Sequence, residues 1–231
     1  QMDPYKGSML RRLKHVGDAT YWLGSDELGR DMISRLMLGS RLSLFIGVTP
    51  VLIAFVIGSA IGILAGYVGG WTNTILMRTI DVFFAFPSVL LAIALSGALG
   101  AGIFNSIVSL TCVFVPQIAR VAESVTTGIR RRDYIDAAKL SGASALTIMR
   151  VQVLGNVVGP IFVYATSLIS VSMILASGLS FLGLGVRPPE PEWGLMLNTL
   201  RTAIYVNPVV AALPGVCIFV VSIAFNLFSD G

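Results

Sequence analysis

The chain has 231 residues, of which 55% are hydrophobic and only 12% are charged, and its mean hydropathy is +0.84. Soluble domains carry about 25% charged residues, so this chain has too little polar material to cover a water-facing surface. That composition excludes a soluble enzyme, a disordered region and a nucleic-acid-binding module, despite a formal net charge of +4. Its two cysteines both lie in apolar runs, which excludes a disulfide framework or a Cys-x-x-Cys metal site. The sequence predicts a membrane protein.

The segment before the first apolar run, residues 1–41, is polar and holds seven of the sixteen Lys and Arg residues and the only histidine, His15. It begins without an apolar stretch, so we expect no signal peptide. The side of the bilayer that receives residues 122–150 receives seven basic residues in all. The other side receives nine basic residues if the N-terminal segment is counted and two if it is not, so the positive-inside rule alone gives no clear orientation. The dense cluster Arg130–Arg132 favours a cytoplasmic 122–150 loop and an extracytoplasmic segment 1–41 with an amphipathic lead-in.

Charged residues divide the remaining sequence into long apolar blocks. Four blocks carry no charge, namely residues 42–77, 82–119, 151–186 and 202–229. A span needs about 20 apolar residues, so the second block must turn back, and Gly97–Asn105 has the composition of a turn. Backbone in a bilayer must be helical unless it closes a barrel. The prediction is an all-α polytopic protein with five spans: Leu42–Ala65, Val82–Leu99, Ile103–Val121, Asn156–Gly178 and Val209–Phe228.

Small residues recur at every fourth position along the first apolar block. They are Ala54, Gly58, Gly62, Gly66 and Gly70. Such a stripe allows two membrane helices to approach closely, and we expect it to pack either within the subunit or against a partner. Pro87 and Pro214 are candidates for kinks in the second and fifth spans.

The loop at about 122–150 has the composition of two short helices. Gly142 is placed to end the first helix in a left-handed cap, and Ser144 is placed to cap the second. Two helices that meet at a glycine would form a compact knob for a partner, and Ala137 and Ala138 would let that partner approach the backbone. The alternative is an amphipathic loop held on lipid headgroups by its basic residues. The residues alone leave both interpretations open.

Four segments of the chain resemble one family. Asp136–Gly142 is similar to the EAA motif (Glu-Ala-Ala, three residues, Gly) of importer permeases in the ABC transporter superfamily. Three others, residues 21–35, 81–88 and 180–197, resemble the dipeptide/oligopeptide/nickel permease class, in particular its C-type subunit. The resemblance runs over residues 21–231 and implies the fold of a type I ABC importer transmembrane domain over residues 42–228.

Two residues and the number of spans depart from the family pattern. Where the motif has Glu, this sequence has Asp136, whose side chain is one methylene shorter. Gly155 stands where the family usually has Pro. Family members usually have six spans and a short cytoplasmic tail. The five spans predicted here lead us to expect that the first span is missing and that the chain is trimmed.

The resemblance implies that this chain is coupled to ATP hydrolysis but catalyses no reaction itself. The sequence has no Gly-x-x-x-x-Gly-Lys-[Ser/Thr] phosphate loop, so the implied ATP and Mg lie on a partner ATPase. No catalytic residue, metal site or cofactor is expected in this chain. The resemblance implies ATPase contacts at the EAA residues Asp136, Ala137, Ala138 and Gly142, with Tyr134 as a flanking contact.

The resemblance also implies the other members of the assembly. They are a second homologous permease in a heterodimer, two ATP-binding subunits and an extracytoplasmic substrate-binding protein, in a bacterial inner membrane. A second candidate site lies in the external loop at about 179–207, where the substrate-binding protein could contact Arg187, Glu190, Glu192 and Trp193. Alternatively, Trp193 anchors the loop at the membrane interface.

The transported solute is expected to be a small peptide. A metal path would favour His, Cys or carboxylates, and the spans offer only Cys112 and Cys217. Nickel is the main alternative, followed by opines or oligosaccharides. A structural membrane subunit without a transport path is the alternative outside the family. The charge-free blocks argue against a proton-coupled transporter, which normally carries ionisable residues inside its spans.

Overall fold

A computed structural model describes residues 3–230, whose regular secondary structure is helical. Residues 1, 2 and 231 lie outside the described range. The first two belong to the predicted N-terminal segment 1–41, and residue 231 is the last residue of the family resemblance. A 3₁₀ turn precedes the first long helix and another follows α8, at Met9–Arg11 and Arg201–Tyr205. The helices are α1 Met32–Val68, α2 Gly70–Phe84, α3 Ser88–Leu99, α4 Ile103–Arg130, α5 Asp133–Leu140, α6 Ala145–Thr147, α7 Leu154–Phe181, α8 Trp193–Thr199 and α9 Pro208–Asp230.

Four helical segments are long and apolar enough to cross a membrane: α1, α4, α9 and Ala145–Phe181, in which a π-helical turn at Ile148–Val153 joins α6 to α7. Four of the predicted spans, all but the second, are therefore shorter than the helices that contain them. The expected lead-in before Leu42 forms the first turns of α1, which begins after Asp31. The Asp31 carboxylate caps this helix by accepting a hydrogen bond from the Ser34 backbone N–H at 2.9 Å.

The predicted second span, Val82–Leu99, is wrong as a continuous helix. α2 and α3 meet at an angle of 86°, with a break at residues 85–87. Pro87 explains the break, because proline has no backbone N–H and disfavours a helical conformation in the residue before it. The predicted turn after this span is confirmed, since Gly100 adopts a φ of +89° between α3 and α4.

The small-residue stripe is confirmed as a packing surface within this chain. α1 and α4 run in the same direction, and the glycines of α1 lie against the α4 backbone. A Cβ atom at Gly58 would lie 2.9 Å from the carbonyl oxygen of Val115, and one at Gly66 would lie 2.8 Å from that of Glu123. The stripe ends before Gly70, around which a Cβ would meet nothing within 4 Å.

The helix bundle has two distinct ends. At one end, where α1 and α4 finish, the Tyr67 hydroxyl donates a hydrogen bond to the Ala145 carbonyl at 3.2 Å. We call this the α5 end. At the opposite end, the loop after α7 contacts the start of α4, with the Gly102 N–H donating to the Leu184 carbonyl at 3.2 Å.

We predict that Gly62→Ala destabilises the fold by about 1–3 kcal/mol, the range for overpacking a filled interface. The added Cβ would overlap the carbonyl oxygen of Ala119 and lie 2.5 Å from the Ala122 Cβ. The measurement is the thermal unfolding midpoint of the detergent-solubilised protein.

The matched control is Gly178→Ala, also within a helix, where a Cβ would meet nothing within 4 Å. Alanine favours a helix over glycine by up to about 1 kcal/mol, so this change should leave the midpoint unchanged or raise it. Equal losses in the two variants would contradict the proposed α1–α4 contact.

Candidate functional site

The helix α5 projects from the bundle with little burial of its own. Ile135 is its one fully buried residue, and Ala138 is half-buried against the same apolar core. The other six residues of α5 are exposed. Such a helix is too short to be stable alone in water, so its position depends on the Ile135 anchor and on the caps at its ends.

The C-terminal cap predicted at Gly142 is confirmed. Gly142 has a φ of +80°, and its N–H donates to the Lys139 carbonyl at 3.0 Å. The Ala143 N–H donates to the Ala138 carbonyl at 3.1 Å. These two bonds form a Schellman motif, which requires a residue that tolerates positive φ.

The N-terminal cap predicted at Ser144 is also confirmed. Its hydroxyl accepts a hydrogen bond from the Thr147 N–H at 3.2 Å. The second short helix, however, is not separate from the span that follows. It continues through the π-helical turn Ile148–Val153 into α7, so the knob is joined directly to a membrane helix.

The predicted coupling residues divide between two faces. Tyr134, Asp136, Ala137 and Gly142 are exposed, whereas Ala138 lies against the core. The Asp136 carboxylate accepts a hydrogen bond from the Lys139 ammonium at 2.8 Å, and this exposed pair contributes little to stability.

Two leucines extend the exposed surface of the knob, and sequence reasoning missed them. Leu140 is 90% exposed at the end of α5, and Leu146 is 58% exposed in α6. The signal was available, because Leu140 lies five residues after the buried Ile135, away from the anchored face. Together with Tyr134, these leucines give the α5 end an uncovered apolar surface.

The second candidate site, at the opposite end, behaves differently from the prediction. Glu192 is 2% exposed and Trp193 is 4% exposed. The Glu192 carboxylate accepts hydrogen bonds from the Gly194 and Leu195 N–H groups, at 2.9 Å and 2.8 Å. The Trp193 indole donates to the Leu36 carbonyl at 3.0 Å. These side chains are internal braces, so neither the expected partner contact nor an interfacial anchor fits them.

A shared hydroxyl ties this loop to α1. Ser43 donates a hydrogen bond to the Glu192 carboxylate at 3.2 Å and accepts one from the Trp193 N–H at 3.0 Å. Burial raises the pKa of Glu192, and the two backbone N–H groups partly oppose that shift because they stabilise the charged form. The buried position of the Glu192 carboxylate therefore depends on the groups that donate hydrogen bonds to it.

The other two residues of the predicted contact are accessible. Arg187 and Glu190 are both exposed. The Arg187 guanidinium donates to the Ala101 carbonyl at 3.2 Å, and the Glu190 carboxylate accepts from the Tyr5 hydroxyl at 3.0 Å. A partner can reach these two side chains.

The N-terminal segment is held over the same end by a buried charge cluster that the sequence did not reveal. The Asp26 carboxylate pairs with the Arg30 and Arg35 guanidinium groups at 2.6 Å and 3.3 Å. Arg35 also donates to the Pro4 carbonyl at 3.1 Å. These contacts join the segment before α1 to α1 itself.

Comparison with known proteins identifies the family. Residues 58–231 match the family of binding-protein-dependent transport system inner membrane components. The chain belongs to this family. It is a permease component of a binding-protein-dependent ABC importer of the dipeptide/oligopeptide class, and it lies in the inner membrane with other subunits of that importer.

Two similar proteins are glutathione transport system permease proteins GsiD. The one from Pectobacterium atrosepticum is 43% identical over 220 residues, which cover 95% of this chain and 73% of the relative. The one from Escherichia coli is 44% identical over 211 residues, which cover 91% of this chain and 70% of the relative.

Solved structures support the fold. The inward-facing methionine ABC transporter MetNI matches with a TM-score of 0.71 and 20% identity, over 86% of this chain and 94% of that chain. An amino acid ABC transporter with histidines matches with a TM-score of 0.66 and 13% identity, over 86% and 92% of the two chains. The predicted type I ABC importer fold is therefore confirmed.

We predict that Glu192→Ala lowers the free energy of unfolding by about 2–4 kcal/mol, because it leaves buried donors without an acceptor. The donors are the Gly194 and Leu195 N–H groups and the Ser43 hydroxyl. The measurement is the thermal unfolding midpoint in detergent.

The matched control is Glu190→Ala, which removes an exposed carboxylate two residues away in the same loop. It should change stability by less than about 0.5 kcal/mol, as most surface substitutions do. If Glu192→Ala unfolds at the same temperature as this control, Glu192 is not an internal brace.

Proposed function

We propose that this chain forms half of the translocation path for small peptides in an ATP-driven importer, and that α5 couples it to a separate ATPase subunit. The observation that carries the coupling is the exposed knob at the α5 end, which is anchored by Ile135, follows α4 after two residues and continues from α6 into α7. A surface with exposed Leu140, Leu146 and Tyr134 is expected to be covered by a partner.

The knob offers its ATPase partner a mixed surface. Ala137 lets a partner approach the helix backbone, while Tyr134 and Leu140 supply apolar area and Asp136 supplies a charge. Gly142 fixes the direction in which the chain leaves α5. Ala138 supports the same contact indirectly, because it packs α5 against the core. ATP and Mg bind on the ATPase.

We further propose the composition of the assembly: a second homologous permease subunit, two ATP-binding subunits and an extracytoplasmic substrate-binding protein. The opposite end of the bundle is extracytoplasmic in this arrangement. There, the exposed Arg187 and Glu190 are available to the binding protein, supported from below by the buried Glu192 and Trp193.

The peptide substrate is supported by the relatives. Proteins named as glutathione transport permeases are 43% and 44% identical to this chain along most of its length, and glutathione is a small peptide. Nickel uptake is the alternative within the same class.

We predict that Ala137→Trp disrupts docking and lowers peptide transport at least tenfold, because a large side chain would occupy the space where the partner approaches α5. Ala137 is exposed, so membrane insertion should be unaffected. The measurements are co-purification of the ATPase subunit and uptake by the reconstituted complex.

Ala19→Trp is the matched control, since it places the same bulky side chain at an exposed position in the N-terminal segment. This variant should retain the ATPase subunit. If Ala137→Trp also retains it and transports normally, α5 is not the docking element.

The substrate assignment is tested by uptake into proteoliposomes that contain the whole complex and its binding protein. Labelled glutathione or a dipeptide should accumulate in an ATP-dependent manner, and ⁶³Ni²⁺ should not. Uptake of nickel without peptide would contradict the peptide assignment. A complex in which the binding protein stimulates no ATP hydrolysis would favour a structural subunit without a path.

A further inference from the structure

The break between α2 and α3 lies beside the middle part of α4. Phe83, Phe86 and Ser88 surround a recess of about 160 Å³ together with Val113 and Gln117 of α4. At about 1.5 Å per residue, these two α4 residues lie about 15 Å and about 21 Å from the start of α4. A hydrocarbon layer about 30 Å thick that begins with α4 therefore has the break near its middle.

Lipid is an unsuitable neighbour for this break. Residues 85–87 are exposed, and the N-cap residue of α3, Pro87, supplies no side-chain hydrogen bond to the first N–H groups of the helix. Irregular backbone at this depth is tolerated only where it is buried in protein or lines a water-filled cavity. In transporters, broken helices at the midplane mark the substrate path.

A second observation points to the same face. The Arg120 guanidinium of α4 forms an ion pair with the Asp81 carboxylate of α2, and their side chains are 45% and 40% exposed. Arg120 lies one turn beyond Gln117 on α4, and Asp81 lies within the last turn of α2 before the break. Ionisable groups within a bilayer rarely face lipid, and they mark pathways for polar solutes.

We propose that Asp81, Ser88, Gln117 and Arg120 line the aqueous path of the importer, and that the Asp81–Arg120 pair contacts the charged ends of a passing peptide. This inference rests on the proposed function and adds the residues that meet the solute. A peptide at neutral pH carries an ammonium and a carboxylate, which match the carboxylate of Asp81 and the guanidinium of Arg120. The exposed rings of Phe83 and Phe86 offer an apolar wall for its side chains.

The first experiment tests water access in the reconstituted complex. In a background with Cys112→Ala and Cys217→Ala, single cysteines are introduced as Ser88→Cys and Gln117→Cys and treated with the membrane-impermeant reagent MTSET. We expect both to react at least tenfold faster than Val220→Cys, and peptide substrate to slow the reaction. Val220 is 56% exposed on an apolar stripe of α9 that also contains Val216 and Ile223, so it serves as a lipid-facing control.

The second experiment tests contact with the peptide ends. Arg120→Gln should lower uptake of a free dipeptide at least fivefold more than uptake of its carboxy-terminal amide, whereas Arg78→Gln, at an exposed arginine on α2, should affect both equally. If Arg120→Gln lowers both equally, the ion pair only braces α2 against α4. If neither new cysteine reacts faster than Val220→Cys, lipid or a protein partner covers this face and the proposal is wrong.

Failure of the proposed function gives a different result. A parent complex that imports no peptide would contradict the peptide assignment, while the labelling contrast between Ser88→Cys and Val220→Cys would still report whether water reaches the break.

Discussion

The contact between α1 and α4 depends on the absence of side chains at Gly58, Gly62 and Gly66. Membrane helices gain no hydrophobic stabilisation from leaving lipid, so their association depends on close packing. The three glycines let the α1 backbone lie directly on the carbonyl oxygens of α4, and both helices run in the same direction. α4 in turn carries α5 at one end and receives the loop after α7 at the other. A shift of α4 relative to α1 would therefore displace α5 at one end of the bundle and the loop after α7 at the other.

Features set by local sequence could be predicted. The cap at Gly142 needs only a residue that tolerates positive φ after a short helix, and the cap at Ser144 needs only a hydroxyl before one. The glycine stripe is also visible, since its spacing follows the helix repeat. What the stripe packs against was left open, because a period in one helix does not identify its partner. The structure identifies α4.

Features set by distant contacts could not be predicted. Glu192 and Trp193 look like exposed loop residues in the sequence, yet both are buried because Leu36 and Ser43, about 150 residues earlier, supply their hydrogen-bond partners. The sequence does not reveal the interruption of the helix at Pro87 for a different reason. Hydropathy records where charges are absent, and residues 82–99 contain none, so the run reads as one span whether or not its helix bends. Proline indicated a kink, but nothing in the local sequence sets its angle of 86°.

The attachment of α5 explains how a small helix could move a large bundle. α5 is linked to α4 through residues 131–132 and to α6 through residues 141–144, and α6 continues through the π-helical turn into α7. Ile135 is buried in the same core cluster as Ile148 and Val153 of that turn. Because both connections are short and Ile135 is held in this core, we expect a displacement of α5 to be passed to α4, to α7 or to both. The π-helical turn is the element along this route whose hydrogen bonding departs from the α-helix, and such turns are sites where helices bend. We therefore expect α7 to bend there while α4 remains held by the glycines of α1.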